Sequence, residues 1–76
     1  MESRIVTNPE ILGGKPCVRG TRISVEFILE LIAGGASAED VVQAYPHLTV
    51  EDVASAVQFA ADFLRGVSLV DLEISR

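Results

Sequence analysis

Three helix stops, Gly34-Gly35, Pro46 and Gly66, divide residues 24–66 into segments with room only for short or medium helices, and each segment opens on Ser or Thr. From Ser24 the apolar residues recur with helical period. Val25, Ile28, Leu29 and Ile32 fall on one face, Phe27 and Leu31 widen it, and Glu26 and Glu30 lie four apart on the other. Gly34-Gly35 ends this helix. Ser37, with Asp40 three residues on, makes a variant capping box in which aspartate replaces the usual Glu or Gln. The helix it opens is short, because Pro46 stops it after VVQAY. Thr49 and Asp52 repeat the box and open the longest segment, VEDVASAVQFAADFLR, which Gly66 terminates.

The flanks read differently. At the front, RIV has β character, Asn8-Pro9 favours a turn, and Gly13-Gly14 supplies positions where φ can be positive. Cys17-Val18 and Arg22-Ile23 then form two short extended pieces around a tight turn at Gly20. At the back, Val70, Leu72 and Ile74 alternate with Asp71, Glu73 and Ser75, a period of two that fits a short strand or an extended tail. The expected organisation is a single domain over residues 1–76: a β/loop arm at 1–23, a three-helix core at 24–66 and an extended C-terminal tail at 67–76.

The expected fold class is mainly α: a three-helix helix-turn-helix bundle, homeodomain-like or winged-helix-like, with a short N-terminal β arm and a short C-terminal strand. In this layout the second helix props the third across a tight turn. Other small three-helix bundles share the spacing, so it assigns no function by itself.

Charge narrows the function. The net charge is −5, and residues 23–64 hold seven acids and no Lys or Arg, whereas four of the six cations, Arg4, Lys15, Arg19 and Arg22, lie in the first 22 positions. Such a field repels polyanions, so nucleic-acid binding depends on a local basic patch. One cysteine makes no internal disulfide, the start lacks a signal-peptide pattern, and Glu26 and Glu30 interrupt the most apolar region. A soluble, cytoplasmic protein with no membrane span is expected.

The basic patch centres on GGKPCVRGTR, residues 13–22. Its Gly-Lys pair invites comparison with a nucleotide-binding phosphate loop, but Pro9 and Pro16 stand where that loop requires Gly and Ser or Thr. Lys15, Arg19 and Arg22, with Thr21, are therefore candidates for phosphate contacts that position DNA without reading sequence. Ordinary surface charge, paired with Glu2 or Glu10, is the competing reading. On the third helix the polar stripe is Glu51, Ser55, Gln58, Asp62 and Arg65, of which Ser55 and Gln58 are the candidate base readers. That helix carries two apolar stripes. Val50, Val53, Ala54, Val57, Ala61 and Leu64 form one, and Ala56, Phe59 and Phe63 form the other. Either both face a wide core or Phe59 and Phe63 form a dimer or partner seam, with Val70, Leu72 and Ile74 of the tail as further contacts.

Cys17 and His47 occur once each; Cys17 reads as a small packed hydrophobe and His47 as support for its turn. They assemble neither a metal set nor a nucleophile with its base, so no metal, no cofactor, no small-molecule substrate and no catalysis are expected.

Residues 8 to about 60 resemble the widespread bacterial domain-of-unknown-function 433 family. The likeness rests on GGKP at 13–16, RGTRI at 19–23, Val25 opening the first helix, the turn at Gly34-Gly35, and YPHLT at 45–49 before an acidic helix start. It implies a dimeric helix-turn-helix protein similar to an antitoxin of the VapB type, encoded beside a PIN-like ribonuclease toxin. The family tends to have an aliphatic residue at the position of Cys17, which fits a packing role. The expected function is thus a non-enzymatic antitoxin that forms a homodimer, binds and neutralises its cognate toxin, and regulates its own operator DNA. The alternatives are a DNA-binding regulator without a toxin partner and a dimeric protein-interaction module.

Overall fold

Each helix start carries the hydrogen bonds that its sequence encodes. The computed structural model describes residues 3–67. Within them α1 spans Val25–Ala33, α2 Ala38–Ala44 and α3 Val50–Arg65. The Ser24 hydroxyl accepts from the Phe27 N–H at 2.9 Å. At α2 the Ser37 hydroxyl accepts from the Asp40 N–H and the Asp40 carboxylate accepts from the Ser37 N–H, both at 3.0 Å. Thr49 and Asp52 make the same reciprocal pair at α3, at 3.1 and 3.0 Å. Orphan N–H groups at all three N-termini are therefore satisfied locally.

The end of α1 is equally specific. Gly35 N–H donates to Ile32 O at 2.9 Å and Ala36 N–H to Leu31 O at 3.1 Å, the paired bonds of a Schellman turn. That turn puts Gly35 at φ 108°, where a side chain is strained.

Each cap is also flanked by an apolar pair. The residue before the cap and the fourth residue of the helix are Ile23 and Ile28, Ala36 and Val41, and Leu48 and Val53. All six belong to one core, with Ile28, Val41, Leu48 and Val53 at 2% exposure or less. This is the hydrophobic-staple pattern at three successive helices, and it sets the angle at which the chain enters each one.

The front of the chain closes this core rather than hanging off it. β1, Ile5–Val6, pairs antiparallel with β2, Cys17–Val18, in the register Ile5↔Val18 and Val6↔Cys17. Ile5, Cys17 and Val18 are all buried. Between the strands a single 3-10 turn at Leu12–Gly14 runs through three consecutive positive φ values. After β2 the chain folds back, with Val18 N–H donating to Ile23 O at 2.9 Å and Val25 N–H to Pro16 O at 2.9 Å. Arg22-Ile23, expected as a second extended piece, is too short to count as a strand, but the chain there does run antiparallel to β2, with Cys17 bridging Ser24 beside the Val18–Ile23 bond, while β1 also pairs with β2.

The rotation of α3 also differs from the simplest reading of its two stripes. Val53 and Ala56 are buried and Phe59 is half-buried, while Val50, Ala54, Val57, Ala61 and Leu64 face solvent. The staple at Leu48–Val53 and the inward Asp52 fix this rotation. The expected C-terminal strand, with Val70, Leu72 and Ile74, lies outside the described residues. Among the described residues no helix is long and apolar enough to cross a membrane.

Candidate functional site

Most cations concentrated at the front of the sequence are committed to holding the fold. The Arg4 guanidinium donates to the Asp52 carboxylate at 3.0 Å, and Lys15 pairs with Glu26 at 3.0 Å. Arg19 Nε donates to Ser3 O at 2.9 Å. At the far end Arg65 pairs with Asp62, whose carboxylate also accepts from Gln58 Nε2 at 2.9 Å. Two surfaces remain where side chains from separate elements converge.

The first is a shallow hollow around Gly20. Arg19, Thr21, Arg22 and Ile23 line it from the front of the chain and His47 from the α2–α3 turn. Gly20 sits at φ 81°, which lets the chain reverse tightly there. The Thr21 hydroxyl donates to Val18 O at 2.8 Å and accepts from Ile23 N–H at 3.0 Å, so it holds the turn. No acidic side chain lines the hollow. Of the six residues expected to contact DNA, Arg19, Thr21 and Arg22 meet here, whereas Lys15 does not. Ser55 and Gln58 lie on α3 and line neither surface.

The second surface is an apolar groove of about 600 Å³ between α1 and α3. Leu29 and Ala33, four apart on α1, form one wall; Phe59, Ala60, Phe63 and Leu64 form the other. Small side chains at Ala33 and Ala60 keep the helices' facing sides open, and the rings of Phe59 and Phe63 define the wall above them. Phe63 is 70% exposed although it is a large aromatic. Lys15, Glu26 and Glu30 stand at the rim. Lys15 and Glu26 neutralise one another, which leaves Glu30 to set the sign. Sequence reasoning picked out Phe59 and Phe63 but missed the opposite wall, because Leu29 fits equally well in a core stripe. It also missed His47 at the hollow, since nothing local links residue 47 to residues 19–23.

Two carboxylates have perturbed acidity. At Asp52 partial burial pushes the pKa up, but hydrogen bonds from the Thr49 backbone N–H, the Arg4 guanidinium and the Thr49 hydroxyl, with the Arg4 charge, outweigh it and hold the pKa below the usual carboxylate value. The Ser37 backbone N–H, then its hydroxyl, lowers Asp40 in the same way. Both groups serve helix starts rather than a reaction. Cys17 is a buried free thiol, and among the described residues no three His, Cys, Asp or Glu side chains gather as a metal site.

Comparison with known proteins accounts for most of this architecture. A chain described as "Uncharacterized protein y4eO" from Sinorhizobium fredii (strain NBRC 101917 / NGR234) is 41% identical over 63 residues, 82% of this chain. The chain spans only 28% of that relative's length. A crystal structure of a DUF433 member protein from Anabaena variabilis ATCC 29413 matches with a TM-score of 0.76 at 30% identity, covering 80% of this chain and 60% of that one. The family model described as "Protein of unknown function (DUF433)" matches residues 5–60, which take in both strands, α1, α2 and most of α3, and the chain belongs to that family.

Proposed function

We propose that the chain is a non-enzymatic, antitoxin-like binding module that docks on a PIN-like ribonuclease and blocks it. One observation carries this reading: an open apolar groove with an exposed Phe63 on a chain of net charge −5. Single exposed apolar residues need no explanation, but a continuous apolar trough between two helices does. A helix with apolar residues at i, i+4 and i+7 fits such a trough, and basic residues flanking those anchors would meet Glu30 and the acids of α3. A ribonuclease offers that chemistry, because its RNA-binding surface is basic. Attraction between unlike charges speeds encounter, and burial of the anchors slows release.

The same binding masks the RNA site with carboxylates. Glu30 and Glu51 are exposed and on this reading stand in for phosphate groups. A pull-down of the ribonuclease encoded beside this chain tests the docking face: Phe63→Asp is expected to abolish capture and Gln58→Ala to leave it intact.

A second reading keeps the finer fold assignment, with α2, the turn at 45–49 and α3 as a helix-turn-helix and the Gly20 hollow as its phosphate contact. Arg22 supports it, being exposed and making no hydrogen bond or ion pair with another described residue. On that reading Arg22→Ala lowers affinity for operator DNA and reduces the salt slope by about one. An unchanged slope counts against DNA contact at the hollow.

A further inference from the structure

A separate face of α3 carries a pattern that the hollow does not use and that meets the groove only at Leu64. Val50, Ala54, Val57, Ala61 and Leu64 are all exposed, and their spacing is four, three, four, three. That is the 3.5-residue period of a coiled-coil seam, sustained over the full length of the helix. Val50, Val57 and Leu64 project at 43, 42 and 59% exposure, and Ala54 and Ala61 between them leave room for a facing knob. Only Leu64 is shared with the groove, so the seam and the groove are different surfaces.

We propose that a second copy of this chain covers this seam, α3 against α3 and antiparallel. The charges beside the seam select the orientation. Glu51 follows Val50 and Arg65 follows Leu64, so both lie on the same flank, with exposed Gln58 midway between them. In an antiparallel two-fold pair like flanks meet with reversed direction. Arg65 of each copy, paired with Asp62 within its own chain, then also lies opposite Glu51 of the other, and the two Gln58 side chains, each donating to its own Asp62, meet near the axis. A parallel pair would set this flank against the opposite one, where Val53 and Ala60 offer no charge at all. Self-complementarity in both the apolar period and the charges is what a two-fold interface requires. Phe59 and Phe63 remain outside the seam, so the dimer takes only Leu64 from the groove's lining.

Light scattering on the full chain across a concentration series tests the seam. A concentration-dependent dimer is expected, with Val57→Glu monomeric and its circular dichroism unchanged, because the residue is on the surface. Arg65→Glu alone is expected to lower the association constant by roughly three- to tenfold, as two symmetry-related exposed pairs are lost, and Glu51→Arg with Arg65→Glu to restore it. For orientation, Val50→Cys mixed with Leu64→Cys is expected to form a cross-linked heterodimer, and neither variant to cross-link with itself. A monomer at every concentration, a dimer indifferent to Val57→Glu, or Val50→Cys cross-linking to itself would each overturn the proposal. These measurements contain no ribonuclease and read self-association alone, so the two readings fail separately.

Discussion

Arg4 and Asp52, 48 residues apart, are joined by a hydrogen bond of 3.0 Å between guanidinium and carboxylate. Asp52 is only 8% exposed, and its other carboxylate oxygen caps α3 through the Thr49 N–H. One side chain thus starts the longest helix and ties the N-terminal strand to it. Asp52→Ala removes both bonds and is expected to destabilise the fold by about 1–2 kcal/mol, against about 1 kcal/mol for Thr49→Ala. Urea unfolding of the two variants measures the difference.

Acid should weaken the same links. The folded pKa values of Asp52 and Asp40 lie below their ordinary value, so the unfolded chain binds protons first as pH falls. Their contribution is complete above the ordinary carboxylate pKa of about 3.9 and is lost as the pH falls through the depressed folded values. Urea midpoints are therefore expected to be level near neutrality and to fall below about pH 4 to 5, with Asp52→Asn showing a shallower fall than wild type.

The glycine pair after α1 divides into one residue that needs to be glycine and one that does not. Gly35 sits at φ 108°, with nothing within 4 Å of where a Cβ would go, so Gly35→Ala costs backbone strain alone. About 1–2 kcal/mol is expected. Gly34 has φ −82° and ordinary contacts at 3.5 Å, so Gly34→Ala is expected to be neutral or slightly stabilising. Thermal melts of the two variants should therefore move apart.

Leu48 lies in a turn yet is 2% exposed, packed in the core with Val53. Leu48→Ala is expected to cost about 2–5 kcal/mol, enough to unfold a large fraction of so small a domain. Gln43→Ala, on the exposed face of α2, is expected to stay within about 0.5 kcal/mol. Denaturant midpoints of the pair separate core from surface.

Local signals were legible in the sequence because each depends on residues three or four apart. The boxes at Ser37 and Thr49 and the stop at Gly34-Gly35 all form as their residues imply. The staples were equally local, with Ile23, Ala36 and Leu48 each preceding a cap, yet a leucine in a turn does not announce that it is core. Long-range pairings carried no such signal. Nothing near Lys15 marks Glu26 as its partner, and nothing near Arg4 marks Asp52. The rotation of α3 was ambiguous for a physical reason: apolar residues occupy two arcs of the helix, and only contact with β1, β2, α1 and α2 decides which arc turns inward. The groove followed from that rotation, so half of its lining was out of reach of a reading by stripes.

Whether the neighbouring reading frame encodes a ribonuclease, and whether this chain inhibits its RNA cleavage, tests the proposed function most directly. Wild-type chain is expected to suppress cleavage at near-stoichiometric ratio. Phe63→Asp, at a position already 70% exposed, is expected to fold normally and to lose suppression at least tenfold. A neighbouring frame that encodes no nuclease, or a Phe63→Asp chain that inhibits as well as wild type, would contradict the groove as the site of an antitoxin-like partner.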